Sequence, residues 1–262
     1  MRQLDVKKLT ILGGTDKNKQ PEKIDALHIN QGDAISVVGA TGSGKTSLII
    51  DVEQIAQRDT FTQRRVLIND AVPDESLRRD SDKKIVAQLS QSMRFFANMQ
   101  VEEFIRLHAR CRNKSEVCLD QVLEAANLLT GEPITASMDL TILSGGQSRA
   151  LMVADIAIIS DSPIVLIDEI ENAGIQKEAA INLLSGSGKI IILITHDPVI
   201  ALMTPMRLVM HNGSMTKLLK VTAQEMEIAT KLQRMDRAMQ NAREEIRKGL
   251  ILSKIAFGEW CI

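Results

Sequence analysis

The chain has 262 residues, with 32 Lys and Arg against 33 Asp and Glu for a net charge of −1. That is enough chain for one large domain and too even a charge balance for a protein that works by coating nucleic-acid phosphates. Apolar residues make up 44% and charged residues 25%, which argues against long disorder, and 2% aromatics with no Tyr leave little stock for stacking rings on bases.

In chain order, Leu4, Val6 and Leu9 alternate with polar residues before the Gly13-Gly14 turn and read as an edge strand. Ile24–Ile29 reads as a second strand, and Ala34–Val38 as a short all-apolar strand buried in a parallel sheet. A glycine-rich loop follows, and Thr46–Gln57 has helical spacing. Residues 58–83 are rich in Arg, Asp, Ser and Pro, with a strand island at Val66–Ile68, and Ile85–Leu89 is a further strand. The pattern is helical from Val101 to about Thr130, where Gly131 and Pro133 break it, and again from Gly146 to Ile159. The β-branched runs Ile164–Ile167 and Ile190–Ile194 read as buried strands joined by a crossover helix at Gln176–Leu184. Asn212-Gly213 between Leu208–Met210 and Met215–Leu219 is a hairpin signal. Alternating buried strands and helices predict an α/β fold with a mainly parallel sheet.

Gly39-Ala40-Thr41-Gly42-Ser43-Gly44-Lys45-Thr46, followed by Ser47, fits G-x-x-x-x-G-K-[ST] between a buried strand and a helix. Glycines let successive N–H groups turn inward as an anion nest at a helix N-terminus. Lys45 is placed to reach the β- and γ-phosphates, and the Thr46 hydroxyl to ligate Mg²⁺. Chance alone produces such a match in roughly one chain in a hundred of this length, before the strand–loop–helix setting is counted. The motif predicts a P-loop NTPase.

Leu143-Ser144-Gly145-Gly146-Gln147 stands just before a helix and offers backbone donors at its N-terminus. With the P-loop, LSGGQ resembles the signature of the ATP-binding cassette (ABC) proteins, and further motifs fall in that family's order. Ile164 to Asp168-Glu169 resembles the Walker B strand with its catalytic Glu, Gln91 the Q-loop glutamine, and His196 in Thr195-His196-Asp197 the switch histidine. The strand–turn–strand at Arg207–Met215 resembles the end of the cassette. The resemblance implies a nucleotide-binding domain over residues 1–220, with an antiparallel β subdomain and an inserted helical subdomain at about 92–145. A C-terminal helical extension occupies 221–262.

The resemblance further implies ATP and Mg²⁺ as cofactors and a head-to-tail dimer, of two copies or of paralogous cassettes, with ATP at its interface. Residues 39–47 of one copy would grip the phosphates while Ser144, Gly145 and Gly146 of the other complete the γ-phosphate shell. Thr46 and Gln91 would ligate Mg²⁺, with Asp168 acting through water; Glu169 would polarise the attacking water and His196 would hold the γ-phosphate. Lys45, Glu169 and His196 are thus the expected catalytic residues.

Several features depart from the family pattern. Thr10-Ile11-Leu12-Gly13 lacks the aromatic ring that relatives stack on adenine, which predicts weaker base selectivity. After Glu169 the chain reads Ile170-Glu171-Asn172-Ala173-Gly174-Ile175 where relatives carry Ser-Ala-Leu-Asp. Beyond residue 221, Ile228, Leu232, Met235, Met239, Ala242 and Ile246 recur at alternating spacings as an apolar seam, which packs on the cassette or on a partner. No run approaches the roughly 20 apolar residues that span a bilayer, and the start of the chain lacks a signal-peptide core. The expectation is a cytoplasmic protein with no membrane insertion of its own, reaching the inner face of a membrane only through a partner. Cys111, Cys118 and Cys261 form no CxxC pair and are expected to be idle or buried thiols. Two functions remain open: the ATPase subunit of a transporter, docking on a permease through Arg94–Gln100, or an ABC machine acting on a protein or metallocofactor partner. A nucleic-acid partner is not expected, because the chain carries no coiled-coil or zinc insertion.

Overall fold

The computed structural model describes residues 5–80, 83–90, 93–114, 119–169 and 174–251, apart from the Glu244 side chain. Six strands form the main sheet, in the order β5 (Val86–Leu89), β6 (Ile164–Asp168), β7 (Ile190–Ile194), β3 (Ala34–Val38), β8 (Met206–His211), β9 (Ser214–Lys220). The first five run parallel, and β9 returns antiparallel through the Asn212-Gly213 turn. Burial on both faces explains the nearly continuous apolar runs of β3, β6 and β7. Val165, Ile167, Ile191 and Leu193 face one core cluster, and Ile164, Leu166, Ile190, Ile192 and Ile194 face the other. The first cluster is closed by α3 (Val101–Cys111), α4 (Leu119–Asn127), α5 (Gly145–Ile158) and α6 (Lys177–Ser185). The second is closed by α1 (Lys45–Glu53) and a three-stranded antiparallel sheet in the order β2 (Ala26–Asn30), β1 (Lys8–Leu12), β4 (Arg65–Ile68). The α/β fold with a mainly parallel sheet and an added antiparallel sheet is as the sequence predicts.

Four local expectations are corrected. The first strand is not an edge strand but the middle of its sheet, since buried Thr10 bonds to His28 on one neighbour and to Asp70 beyond the other. Helix α1 stops at Glu53 because Ile55 turns left-handed (φ 49°), and Ala56 N–H closes onto Asp51 C=O at 2.8 Å. The long helical pattern from Val101 breaks after Cys111 in the same manner: Asn113 has φ 55°, and Lys114 N–H donates to Ala109 C=O at 2.8 Å. Two short helices were not expected, α2 (Glu75–Arg79) and α7 (Pro198–Met203), each started by an Asp side chain that accepts from the first-turn amides.

The C-terminal helix α8 (Ala223–Arg247) packs along α7, with its apolar seam only partly covered. Ile228, Met235, Met239 and Ile246 are between 46% and 59% exposed, whereas Ala229, outside the seam, is buried. Polar links add to this packing, among them Arg207 to Glu225 at 2.8 Å and Arg237 to Glu178 at 2.8 Å. Leu232 and Ala242 of the seam are half-buried, so the cassette covers the seam in part and leaves its other four members open. Among the described residues no helix is long and apolar enough to cross a membrane. Cys111 is an exposed free thiol; Cys118 and Cys261 lie outside the described residues.

Lys189, at the start of β7, is 8% exposed and donates to the carbonyls of Ser160 at 2.8 Å and Ser162 at 3.0 Å. Burial lowers its pKa to about 8, with Lys114 and Arg112 adding to the effect and Asp161 opposing it. The folded value lies below the unfolded one, so between these two values the unfolded chain holds the extra proton and stability rises with pH. Relative to Lys189→Met, the parent should gain on the order of 2 kcal/mol of unfolding free energy between pH 7 and pH 10. Urea unfolding at both pH values measures this; a constant difference would contradict it.

Candidate functional site

The strand register builds the site. Val37 pairs with Ile194, and Ile194 pairs with Asp168, so β3, β6 and β7 end at one level. The glycine-rich loop, Glu169 and Thr195-His196 therefore leave the sheet side by side at its carboxyl edge, where open α/β sheets place ligands.

The loop itself is shaped by contact. Gly44 has φ 102°, and a Cβ there would lie 2.7 Å from Gly213 Cα, so only glycine fits between helix α1 and the β8–β9 turn. Helix α1 begins without a side-chain cap, which leaves its first N–H groups available to an anion. Ser43 Oγ is buried with no hydrogen-bond partner, an orphan that a phosphate oxygen would satisfy. Lys45 is buried and donates to Gly39 C=O at 2.7 Å and Ala40 C=O at 3.2 Å, curling the loop around its ammonium. Burial lowers the Lys45 pKa, and the charges of Glu169 and then Asp168 push it back up. Ala40, Thr41, Gly42 and Thr46 are exposed, and Gly39, Gly44 and Ser47 half-buried.

Glu169 Oε1 lies 3.9 Å from His196 Nε2. The Glu169 backbone is left-handed (φ 53°), and its N–H donates to Ile194 C=O at 3.0 Å, so a rare conformation of a non-glycine residue turns the carboxylate out of β6. Lys45, Asp168, Glu169 and His196 thus come together at the carboxyl edge of the sheet. Gln91 lies outside the described residues, as does 170–173. Among the described residues no group of three or more His, Cys, Asp or Glu side chains is gathered for a metal. Thr46 and Asp168 supply the hard oxygen donors that suit Mg²⁺ alongside phosphate oxygens.

Ser144 is the N-cap of α5 in a capping box: its Oγ accepts from Gln147 N–H at 3.2 Å, and its N–H donates to Gln147 Oε1 at 3.0 Å. Gln147 is buried and donates to Pro133 C=O at 3.2 Å, while Ser144 and Gly145 stay exposed. Behind the turn, a Cβ on Gly174 would lie 3.8 Å from Gly146 Cα, and Ile175 is buried in the helical cluster. The signature turn is thus held rigid from its own side and open on the other.

Two residues support the loop without any local signal in the sequence. Lys17 Nζ donates to Gly42 C=O at 2.7 Å. Arg64, fully buried, donates to Gly213 C=O at 2.7 Å, and Gly213 N–H in turn donates to Ser43 C=O at 2.8 Å. Glu22 and Asp51 neutralise Arg64, at 2.5 Å and 2.9 Å.

The family model described as "ABC transporter" matches residues 23–172. An ABC transporter ATP-binding protein of Methanocaldococcus jannaschii is 56% identical over 247 residues, 94% of this chain and 95% of that one. A methionine import ATP-binding protein of Chlamydia pneumoniae is 29% identical over 74% of this chain and 59% of its own length. Among solved structures, CbiO1 of Clostridium perfringens, part of an ABC transporter complex, superposes with a TM-score of 0.62 at 17% identity, over 90% of this chain and 100% of that one.

Proposed function

Because the chain belongs to the ABC transporter family and is an ATPase of that family, we propose that it binds and hydrolyses ATP with Mg²⁺ between two head-to-tail copies. The observation that carries this reading is the split of the site. Lys45, Asp168, Glu169 and His196 converge at the sheet edge, while Ser144 and Gly145 stand exposed at the capped start of a separate helix.

In this reading the amides of residues 39–47 and the Lys45 ammonium hold the β- and γ-phosphates. Thr46 and Asp168, with Gln91, would hold Mg²⁺, which neutralises phosphate charge when bound. Glu169 orients the attacking water and takes its proton, and His196 holds the γ-phosphate. Ser144, Gly145 and Gly146 of the second copy donate to the same phosphate from α5. Little covalent chemistry is left to the protein, so positioning and charge supply the rate. Loss of the γ-phosphate contacts then lets the two copies part.

Within the cassette frame the transporter role is favoured by Arg94–Gln100, the segment expected to meet a permease. Phe96 there is 90% exposed beside Phe95, which is fixed edge-on against Phe104 at 4.9 Å. An exposed ring on a supported loop suits an apolar pocket in a membrane partner, and docking of that kind would bring the chain to the cytoplasmic face. The exposed seam of α8 favours the second reading, a machine acting on a soluble partner.

Mixing tests the shared site. Lys45→Ala and Ser144→Arg should each abolish phosphate release, and an equimolar mixture should recover part of it, since one of the two sites in a mixed pair regains both Lys45 and Ser144. No recovery, with both variants folded, would overturn the sandwich. Capture of the Glu169→Gln form from solubilised membranes and from cytosol separates the two roles: a co-purifying integral membrane protein supports transport, and soluble companions alone exclude it.

A further inference from the structure

Lys177, the first residue of α6, joins three parts of the molecule through one ammonium. Its Nζ donates to Asp197 Oδ2 at 2.6 Å and to Asp236 Oδ2 at 3.3 Å. Asp197 directly follows His196. Its other oxygen caps α7, accepting from Val199 N–H at 2.8 Å and Ile200 N–H at 3.4 Å, while its own N–H donates to Thr195 Oγ1 at 2.9 Å. The residues on both sides of His196 are therefore tied into one knot. Asp236 belongs to α8, and Arg237 to Glu178 repeats the link between α8 and α6. Burial works against the ammonium, yet the hydrogen bonds and charges of the two aspartates hold its pKa above the usual lysine value.

The knot borders an open groove of about 470 Å³. Glu169, His196 and Asp197 line one side, and Met235, Asp236 and Met239 of α8 line the other. Helix α8 is thus the outer wall beside the catalytic carboxylate, tied to the His196 loop through the Lys177 ammonium.

We propose that Lys177 is a positioning residue for hydrolysis: by sharing one ammonium between Asp197 and Asp236 it fixes the loop that carries His196 and binds α8 to that loop as the wall of the catalytic groove. This rests on the ATPase reading of the same site. Removing the ammonium leaves two carboxylates of like charge facing each other, which separates α8 from the loop and frees His196. Lys45 and the phosphate loop are untouched, so nucleotide binding should persist.

The test uses the full chain with ATP and Mg²⁺. Lys177→Met should lower kcat about 10-fold with KM for ATP within about twofold, the pattern of a contact that matters in the transition state. Lys177→Arg should keep most of the parent kcat, and adding Asp236→Asn to Lys177→Met should recover part of the loss by removing the repulsion. Amide hydrogen exchange without nucleotide should quicken in α7 and α8 together in Lys177→Met. An unchanged kcat, a fall in kcat that Arg does not restore, or faster exchange in α8 alone would each overturn the proposal. If the parent chain itself releases no phosphate from ATP and Mg²⁺, it is the ATPase reading that fails, and joint exchange of α7 and α8 then decides the knot by itself.

Discussion

Glu169→Gln should bind ATP as the parent does, lose about 10²- to 10⁴-fold in phosphate release, and accumulate as an ATP-held dimer. The amide matches the carboxylate in shape, so the backbone turn at Glu169 and its N–H bond to Ile194 are kept. It cannot take a proton from water, and it removes the negative charge that faces both Lys45 and His196. The γ-phosphate then stays in place, and so do the contacts that hold the copies together. Phosphate release at saturating ATP and size-exclusion chromatography with ATP and Mg²⁺ measure the two effects. A monomer under those conditions, or turnover at the parent rate, would refute the assignment of Glu169.

Arg64→Met should destabilise the chain by about 3–5 kcal/mol, the cost typical of breaking a buried ion pair from one side. Arg64, Glu22 and Asp51 are all at most 1% exposed at their side chains, so removing the cation leaves two carboxylates stranded in the core. Glu22 also accepts from the N–H of Met215, which extends the damage to the β8–β9 hairpin. Because Gly213 links Arg64 to Ser43, the surviving folded protein should bind ATP more weakly as well. Arg64→Lys should restore little, since one ammonium cannot bridge two carboxylates and a carbonyl with the geometry of a guanidinium. Urea unfolding and nucleotide titration check both statements; a loss under about 1 kcal/mol would place the cluster among weakly contributing surface pairs.

The site was legible in the sequence where chemistry is local. A glycine loop needs its glycines next to one another, and a signature turn needs its serine three residues before the glutamine that completes the cap. Strands such as Ile190–Ile194 were legible because burial on both faces leaves an unbroken apolar run. What escaped was decided at a distance. Whether the first strand lies at an edge depends on β4, far along the chain, and its end beside Asp70 is invisible to period counting. The breaks at Ile55 and Asn113 need left-handed backbone at residues that only tertiary contact selects. Arg64 finds Glu22 and Asp51 across long stretches of chain, and Lys177 finds Asp236 on another helix, with no spacing rule to connect them. The seam on α8 shows a further limit: apolar periodicity marks a face, but not how much of it this chain covers.

The left-handed turn at Glu169 sets folding and chemistry at odds. A side chain there costs roughly 1–3 kcal/mol against a conformation that glycine would adopt at ease. Selection for heat resistance alone would favour glycine at this position, so the carboxylate proposed to act on the attacking water is kept there at a cost in stability.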